Sequence, residues 1–529
     1  MADYISKLPG VVHVEPVSYL CHGETLEAVV ERVYEYKINR LVLGACSYVN
    51  EYMLYKFAAE AGIAPALVRV VNLREEVAWV HHDQPDKAVT KSNRILAMAV
   101  GDVGEQNYLP ASVTAVTPRA LVIGGGIAGM MAALTIARCG IEVHLVEKSA
   151  EVGGNLKMIY STLESGETGT LLEETVKQVS SDYLIHLHME SAVVAVNGYT
   201  GNFRISIKEK DESLHTFEAG VVIVATGGDE YRPTEYLYGQ NQQVLTQREL
   251  ERRLFTGELD PAGLKSVIMV QCVGSREKDR PYCSRVCCTQ AIKNALKLKA
   301  VNPEIEVTVL YQDMMSYGFK EEYYTLAREK GVRFLHYEPD DRPNVKQDKG
   351  KITVEFAETV LGGKVVVDPD LVLSAGIIPG DNKTLADILA VELDEDGFFS
   401  EAEGNFRPVD FIREGIYVCG LARSPFGVEE SITQAQAAAQ RAVSLLTSKQ
   451  LRTGRFISET VQRQCRKCEL CINVCPYDAR AKDEETNEVV VREALCQGCG
   501  ICVVACPGGA AKIRGFRDRQ VFSMIDAAF

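Results

Sequence analysis

Apolar residues recur along this chain in short runs of two kinds, strand-like and helix-like, and their alternation predicts an α/β protein. The longest apolar stretch, Ala120 to Ala137, is broken by glycines at 124, 125, 126 and 129. Its length raises the question of a membrane span, but the interruptions fit a strand, a glycine turn and a helix better, so no transmembrane segment is expected. A second strand is expected at Glu142–Val146, and buried strands at Val221–Ala225 and Ser266–Val270. A strand at Gly415–Ala422 precedes a long Ala/Gln helix, Ser431–Leu446. Toward the N-terminus, Val11–Val14 and Leu41–Leu43 read as strands, and Leu26–Tyr36 and Glu51–Ala61 as helices. Clustered Gly, Pro, Ser and Thr predict a linker over 101–118, and the polar stretch 448–460 predicts a connector. These boundaries divide the chain into a small α/β domain over 1–115, a large one over 119–447, and a third over 456–529 whose compact part ends near Gly515.

Composition changes this picture only in part. At 529 residues the chain has room for three or four domains of about 150 residues. A formal net charge of −15 argues against nucleic acid or anionic lipid as the main partner. Sixteen cysteines raise the question of a disulfide framework. However, the N-terminal MADYISKLPG has no basic run ahead of an apolar core, and half of the thiols fall in two regular runs. A reducing cytoplasm, that of an anaerobe, is the expected setting.

The two runs carry the most specific chemistry. Cys465, Cys468, Cys471 and Cys475-Pro476 repeat the spacing of Cys496, Cys499, Cys502 and Cys506-Pro507. A doubled CxxCxxCxxxCP is the signature of a ferredoxin with two [4Fe–4S] clusters, in which the fourth cysteine of each run ligates the other cluster. One cluster is therefore expected on Cys465, Cys468, Cys471 and Cys506, and the other on Cys496, Cys499, Cys502 and Cys475. Zinc is the alternative for CxxC pairs, and the doubled pattern weighs against it.

The glycine turn points to a dinucleotide. Gly124 permits the tight turn, Gly126 lets backbone approach a pyrophosphate beside Ala128 at the helix start, and Gly129 lets helix and strand pack closely. Glu147, at the end of the next strand and followed by Lys148, suits a ribose hydroxyl pair. A second glycine turn at Gly153-Gly154, followed by Asn155, favours FAD over NAD, as do the small-residue turn Ala225-Thr226-Gly227-Gly228 and Gly420 ahead of the Ala/Gln helix. Ordinary strand ends of an α/β protein are the competing reading. The strand Ser266–Val270 runs into Gln271-Cys272 rather than a second GxGxxG, so direct NAD(P)H oxidation is not expected.

That replacement segment holds Cys272, Cys283, Cys287 and Cys288, spaced C-x10-C-x3-C-C. The spacing matches neither zinc fingers nor ferredoxins, and it leaves a cluster and a redox disulfide equally open. Adjacent Cys287 and Cys288 cannot share one helical face, which predicts a loop. Cys21, Cys46, Cys139 and Cys419 read as packing thiols, His81-His82 as surface residues lacking a third ligand, and the tyrosines from Tyr311 to Tyr324 as core and domain contacts.

Taken together, the chain resembles the A-type subunits of heterodisulfide reductase, the flavin and iron–sulfur subunits of methanogens and many anaerobic bacteria. The resemblance rests on Gln271-Cys-Val-Gly-Ser-Arg276 with Arg280-Pro-Tyr-Cys283-Ser-Arg-Val-Cys287-Cys288, on Asn39-Arg-Leu-Val-Leu-Gly-Ala-Cys46-Ser, and on Val71–His81. It implies a FAD-binding, Rossmann-like core of the thioredoxin-reductase type, a small N-terminal α/β domain and a C-terminal two-cluster ferredoxin domain. It also implies that Cys272, Cys283, Cys287 and Cys288 hold a third, non-standard [4Fe–4S] cluster beside the FAD. Lys293 matches a family lysine near the flavin, where a cation would stabilise the reduced, anionic ring. The implied setting is a homodimer within a larger cytoplasmic complex of heterodisulfide-reductase-type subunits. There, FAD splits or merges electron pairs, with electron bifurcation as the fullest form. The implied partners are ferredoxin and a hydrogenase-, formate dehydrogenase- or NADH-linked donor. The alternative is a one-directional relay to a membrane quinone-reducing complex. The chain departs from the fullest family pattern: 154–207 contains no cysteine, so a CxxC motif and an inserted ferredoxin domain are absent, and Val77 stands where a cysteine is common.

Overall fold

The computed structural model describes the whole chain except residues 21–22, 47–57, 59, 108–112, 349–350, 358–361 and 453–455. It divides into two compact units, one formed by 115–449 and the other by 1–114 together with 450–529.

The 115–449 unit is built on two five-stranded parallel sheets. In the first, Ile416–Val418, Val221–Val224, Arg119–Ile123, Glu142–Val146 and Ile185–His188 lie side by side in that order. Successive side chains of a strand point to opposite faces. Ala120, Val122, Val221 and Ile223 accordingly pack under the helices Ile127–Ala137 and Val428–Leu446, while Leu121, Ile123, Val222 and Val224 pack against Phe203, Ile205 and Ile207 of a three-stranded antiparallel sheet. Covering both faces is why these strands read as unbroken apolar runs. Burying each such leucine or isoleucine contributes roughly 1.5–3 kcal/mol.

The second sheet orders Val244–Thr246, Asp370–Ala375, Ser266–Val273, Glu306–Tyr311 and Arg333–His336, again all parallel. The helix Gln247–Thr256 starts on a capping box in which Thr246 and Glu249 satisfy each other's backbone N–H groups. The helix Val286–Val301 lies against the same sheet through Ala291, Ile292, Ala295 and Leu298.

In the other unit, Leu41–Ala45 pairs in parallel with Val68–Asn72, and the helix Pro85–Gly104 is joined to the C-terminal helix Asp518–Ala528. Buried Gln520 makes that join: its Nε2 donates to Asp102 Oδ1 (2.9 Å) and Gln106 Oε1 (2.7 Å), and Asp102 also pairs with Arg69. Two short antiparallel pairs, Ser458–Thr460 with Ala511–Ile513 and Arg480–Lys482 with Val489–Val491, frame the cysteine runs.

Several boundaries differ from the sequence reading. Val11–Val14 forms no strand; Val12 is solvent-exposed, and the ring of His13 stacks on Tyr36 instead. The expected linker begins inside a helix, because 101–104 completes Pro85–Gly104. Gly101 is needed there since a Cβ would lie 2.8 Å from the carbonyl oxygen of Ser523. Ser458–Thr460 is a strand of the cysteine module rather than a connector, and the chain stays ordered as a helix beyond Gly515. The Ala/Gln helix starts at Val428, three residues early, on a Gly427/Glu430 cap. Most of the helix expected at Glu51–Ala61, and Cys21, lie outside the described residues. Among the described residues no helix is long and apolar enough to cross a membrane.

Candidate functional site

The first sheet's strand ends open into a cavity of about 650 Å³, within the range of cofactor pockets. Gly124, Gly126, Ala128, Glu147, Lys148, Gly154, Asn155, Ala225, Thr226 and Gly227 all line it. Gly124 takes φ +108°, and a Cβ on Gly129 would sit 1.8 Å from Gly124's carbonyl oxygen, so both positions require glycine. A Cβ on Gly126 would meet no protein atom, which leaves its backbone bare toward the cavity. Glu147 is fixed where the strand ends: Oε2 accepts from the Gly125 N–H (2.6 Å) and Oε1 from that of Ser149 (2.8 Å). Asn155 is held between Gly228 O (2.7 Å) and Arg248 Nη1 (3.2 Å). Gly129 and Gly420 do not themselves line the cavity. Gly129 sits in the helix–strand contact, and the Gly420 N–H donates to Gln434 Oε1 while Leu421 reaches the wall. Bare backbone at two glycine turns, two helix starts at Ile127 and Val428, and an acidic strand end suit the diphosphate and ribose of FAD.

The helix Val286–Val301 joins this cavity to the four clustered cysteines. Cys287 and Cys288 occupy its first turn, both buried, so adjacency did not demand a loop. Cys272 at the strand end, in a left-handed conformation (φ +62°), and Cys283 before the helix complete the set. Burial pushes the Cys272 thiol up to about 12, and the negative charge of Cys288 adds to this. Cys283 is raised chiefly by burial, against the Arg285 N–H that donates to its Sγ at 3.3 Å. Cys287 and Cys288 hydrogen-bond one another, which with burial raises the Cys287 thiol well above its ordinary value and, against burial, lowers that of Cys288. Thiols so desolvated become thiolates when a cation joins them, which suits an iron cluster. The nearby Arg276 guanidinium favours the charged form at Cys272, Cys283 and Cys288.

Farther along the helix, Val286, Thr289, Gln290 and Lys293 line the cavity at i, i+3, i+4 and i+7. Lys293 is largely buried and paired to Glu251 (Nζ–Oε1 2.5 Å), and it donates to Ser161 O (2.9 Å). Desolvation lowers its pKa, against the attraction of Glu251. The same Glu251 oxygen accepts from the N–H groups of Tyr160 and Ser161, which pins the segment beside the cavity. Arg248, Arg285, Tyr317 and Lys320 also line the wall and escaped the sequence reading. Tyr317 was expected in a core or domain contact. Its hydroxyl instead donates to Glu430 (2.5 Å) at the start of the Ala/Gln helix, and Arg285 pairs with the same carboxylate at 3.0 Å. Cys419 is fully buried, whereas Cys139 is exposed at the helix end.

In the cysteine module, one small cavity is lined by Cys465, Cys468, Cys471 and Cys506, and a second by Cys475, Cys496, Cys499 and Cys502. A zinc ion bound at 2.3 Å would draw its thiolates to about 3.8 Å from one another. Among the described residues no three thiols lie within 4.8 Å of one another, so none is drawn together as a tetrahedral zinc site would be. Backbone amides already point at the sulfurs: Ala510 N–H reaches Cys506 and Ser458 N–H reaches Cys496, each at 3.2 Å. Burial pulls Cys506 up, but N–H groups at Ala511, Ala510, Gly508 and Gly509 outweigh it and hold the thiol below its ordinary value. Arg480 is buried and lines both cavities, with Nη1 3.6 Å from Cys471 Sγ.

Residues 118–268 match the pyridine nucleotide-disulphide oxidoreductase family, and 464–510 match the 4Fe-4S dicluster domain. Over 99% of its length the chain is 32% identical to the A-type subunit of the H(2):CoB-CoM heterodisulfide,ferredoxin reductase from Methanothermobacter marburgensis, covering 94% of that relative. The chain belongs to the family of A-type heterodisulfide reductase subunits. Within this family it is also 31% identical to the A-type iron-sulfur subunit of the CoB--CoM heterodisulfide reductase from Methanocaldococcus jannaschii, over 99% of the chain and 94% of the relative. The alignment to the Methanothermobacter relative spans 621 positions, more than this chain's 529 residues, so that relative carries segments absent here. Among solved structures, the thioredoxin reductase of T. acidophilum overlies 63% of the chain and all of its own length, at 17% identity and a TM-score of 0.43.

As a member of this heterodisulfide reductase family, the chain is an oxidoreductase with a FAD-type domain and a [4Fe–4S] dicluster domain, a pairing that supports electron transfer.

Proposed function

We propose that this chain is the flavin hub of a heterodisulfide-reductase-type complex, in which electron pairs are split or merged at one cavity and passed on singly. FAD, when bound, supplies two-electron chemistry and [4Fe–4S] clusters supply one-electron steps. The observation that carries the reading is the helix Val286–Val301. Its first turn holds Cys287 and Cys288, and its next two turns present Thr289, Gln290 and Lys293 to the cavity. A pair acceptor and a single-electron acceptor would thus share one rigid element.

In this reading Gly124, Gly126, Ala128, Glu147, Lys148, Gly154, Asn155, Ala225, Thr226 and Gly227 hold the FAD, with Gly129 and Gly420 shaping the elements behind it. Lys293 keeps a positive charge against the ring, and its pairing with Glu251 fixes that charge in place. Cys272, Cys283, Cys287 and Cys288 hold a third cluster, and the two ferredoxin cavities hold the others through their crossed cysteine sets. The partners are other heterodisulfide-reductase-type subunits and ferredoxin, which the relatives' names carry, with a hydrogenase-, formate dehydrogenase- or NADH-linked donor. The assembly is a cytoplasmic complex built on a homodimer of this chain.

Iron, acid-labile sulfide and FAD per chain after anaerobic purification test the cofactor set. About twelve irons per FAD are expected, and about eight would remove the third cluster and leave a simpler flavin relay. Stepwise potentiometry of the flavin tests the splitting. Strongly crossed one-electron potentials are expected, and well-separated uncrossed ones would favour one-directional transfer.

A further inference from the structure

The neighbouring parallel strands Glu142–Val146 and Ile185–His188 carry a second cluster of ligating side chains, apart from the cavity and all of the cysteines. His144 stands in register with His186, so their side chains leave the same face of the sheet. Glu142, two residues before His144, shares that face. One nitrogen from each imidazole and one carboxylate oxygen all lie within 4.8 Å of one another, the one such trio among the described residues.

Two of the three spacings are near those of ligands around a single ion. Nitrogen and oxygen donors at about 2.0–2.1 Å from a tetrahedral centre stand about 3.3–3.4 Å apart. Glu142 Oε1 lies 3.4 Å from His144 Nε2 and 3.0 Å from His186 Nε2. His144 is 7% exposed, and its Nε2 is buried without a hydrogen-bond partner, a cost that a cation beside it would remove.

The surroundings hold these donors in place. His144 Nδ1 is hydrogen-bonded to His188 Nε2 at 2.9 Å, and the ring stacks on Phe217 with centroids 3.9 Å apart. Anchoring the far nitrogen of a ligating histidine in this way fixes its tautomer and orientation. Arg119 Nη2 takes the other carboxylate oxygen, Glu142 Oε2, at 2.9 Å, leaving Oε1 as a single donor. The guanidinium also repels a dication, which sets the affinity below that of a closed structural site. His186 is half-exposed, so the remaining coordination position faces solvent.

We propose that Glu142, His144 and His186 form a binding site for one divalent transition-metal ion of the zinc class. Two imidazoles and one carboxylate suit Zn2+ and discriminate against Mg2+ and Ca2+, which prefer all-oxygen sets. The ion would tie the edge strand Ile185–His188 to the strand that ends at Glu147.

The test is Zn2+ titration of the anaerobically purified holoprotein, with its full iron and FAD content, by isothermal calorimetry and zinc K-edge absorption. One saturable Zn2+ per chain is expected, with a first shell of nitrogen and oxygen at about 2.0 Å and imidazole scattering. His186→Ala and Glu142→Gln should each weaken binding more than about tenfold with iron and FAD content unchanged. The two variants serve as checks on each other, since His186 is exposed and its loss spares the core. The proposal is overturned by no saturable binding, by affinity unchanged from the parent in both variants, or by sulfur ligands at about 2.3 Å, which would put the zinc on cysteines.

Discussion

Arg480 offers the sharpest quantitative test of the cysteine module. Its side chain is only 3% exposed, lines both cluster cavities, and stands 3.6 Å from Cys471 Sγ. The guanidinium also donates to Thr460 Oγ1 at 3.0 Å, to Glu459 O at 3.1 Å and to Ser458 Oγ, whose oxygen contacts Cys502 Sγ at 3.2 Å. A fixed positive charge at this place favours the reduced state of both clusters. With the added electron spread over a cubane whose centre is about 7 Å away and an effective dielectric of about 20, the interaction is about 2.4 kcal/mol, or about 100 mV for one electron. Arg480→Gln should therefore lower both cluster potentials by about 100 mV, more at the Cys465/Cys468/Cys471/Cys506 site, where the guanidinium donates directly to sulfur. Arg480→Lys keeps the charge and should recover most of the shift while losing the fork of hydrogen bonds. The assay is an anaerobic redox titration followed by electron paramagnetic resonance, with iron content measured on the same samples. Potentials within about 20 mV of the parent in a fully loaded Arg480→Gln protein would refute the electrostatic reasoning.

Gly129→Val should abolish FAD retention, because its Cβ would press on the carbonyl of Gly124 and neither backbone can yield; flavin per chain after gel filtration reports it. Cys288→Ser should lower iron from about twelve to about eight per chain while leaving FAD bound, and unchanged iron would remove these thiols from cluster ligation. Lys293→Met should destabilise the fold by about 3–5 kcal/mol, since it strands buried Glu251, and Lys293→Met with Glu251→Met should recover most of that in denaturant unfolding. Burial raises Glu230 to about 7, against the pull of Arg248, so the folded state holds its proton after the unfolded chain has lost it. Its stabilising effect is complete below about pH 4.5 and is lost as pH rises to about 7; Glu230→Gln should therefore gain stability over the parent at pH 8 but not at pH 4, read from unfolding midpoints.

How much was legible in the sequence depended on how local the signal was. The ferredoxin runs and the glycine turn are short contiguous motifs, so spacing alone marked them. The helix start at Ile127 follows from the glycine turn, whereas the start at Val428 depends on the Gly427/Glu430 cap and was expected at Ser431. What escaped depends on partners distant in sequence. Glu251 is reached by Lys293 across the gap between two helices, and Tyr317 meets Glu430 far along the chain. The helix face of Val286, Thr289, Gln290 and Lys293 has the right period, yet polar residues at that period read as solvent-facing until a cavity is seen beside them. The expected loop at Cys287-Cys288 failed because two thiols in a first turn can both be buried when a preceding loop and a strand end supply the rest of the wall. Val11–Val14 failed for the opposite reason, since β-branched residues form no strand without a neighbour to pair with.

The helix Val286–Val301 has a consequence for timing. From Cys288 to Lys293 the axial advance is about 7.5 Å at 1.5 Å per residue, and only melting the helix could change it. Under the proposed reading, a cluster on the thiols at its start would keep one offset from the Lys293 charge in every conformational state. The ring itself would be carried by the first sheet's strand ends, so a gate that commits an electron to one route would act where ring and helix meet, at a step whose two ends are carried by separate elements.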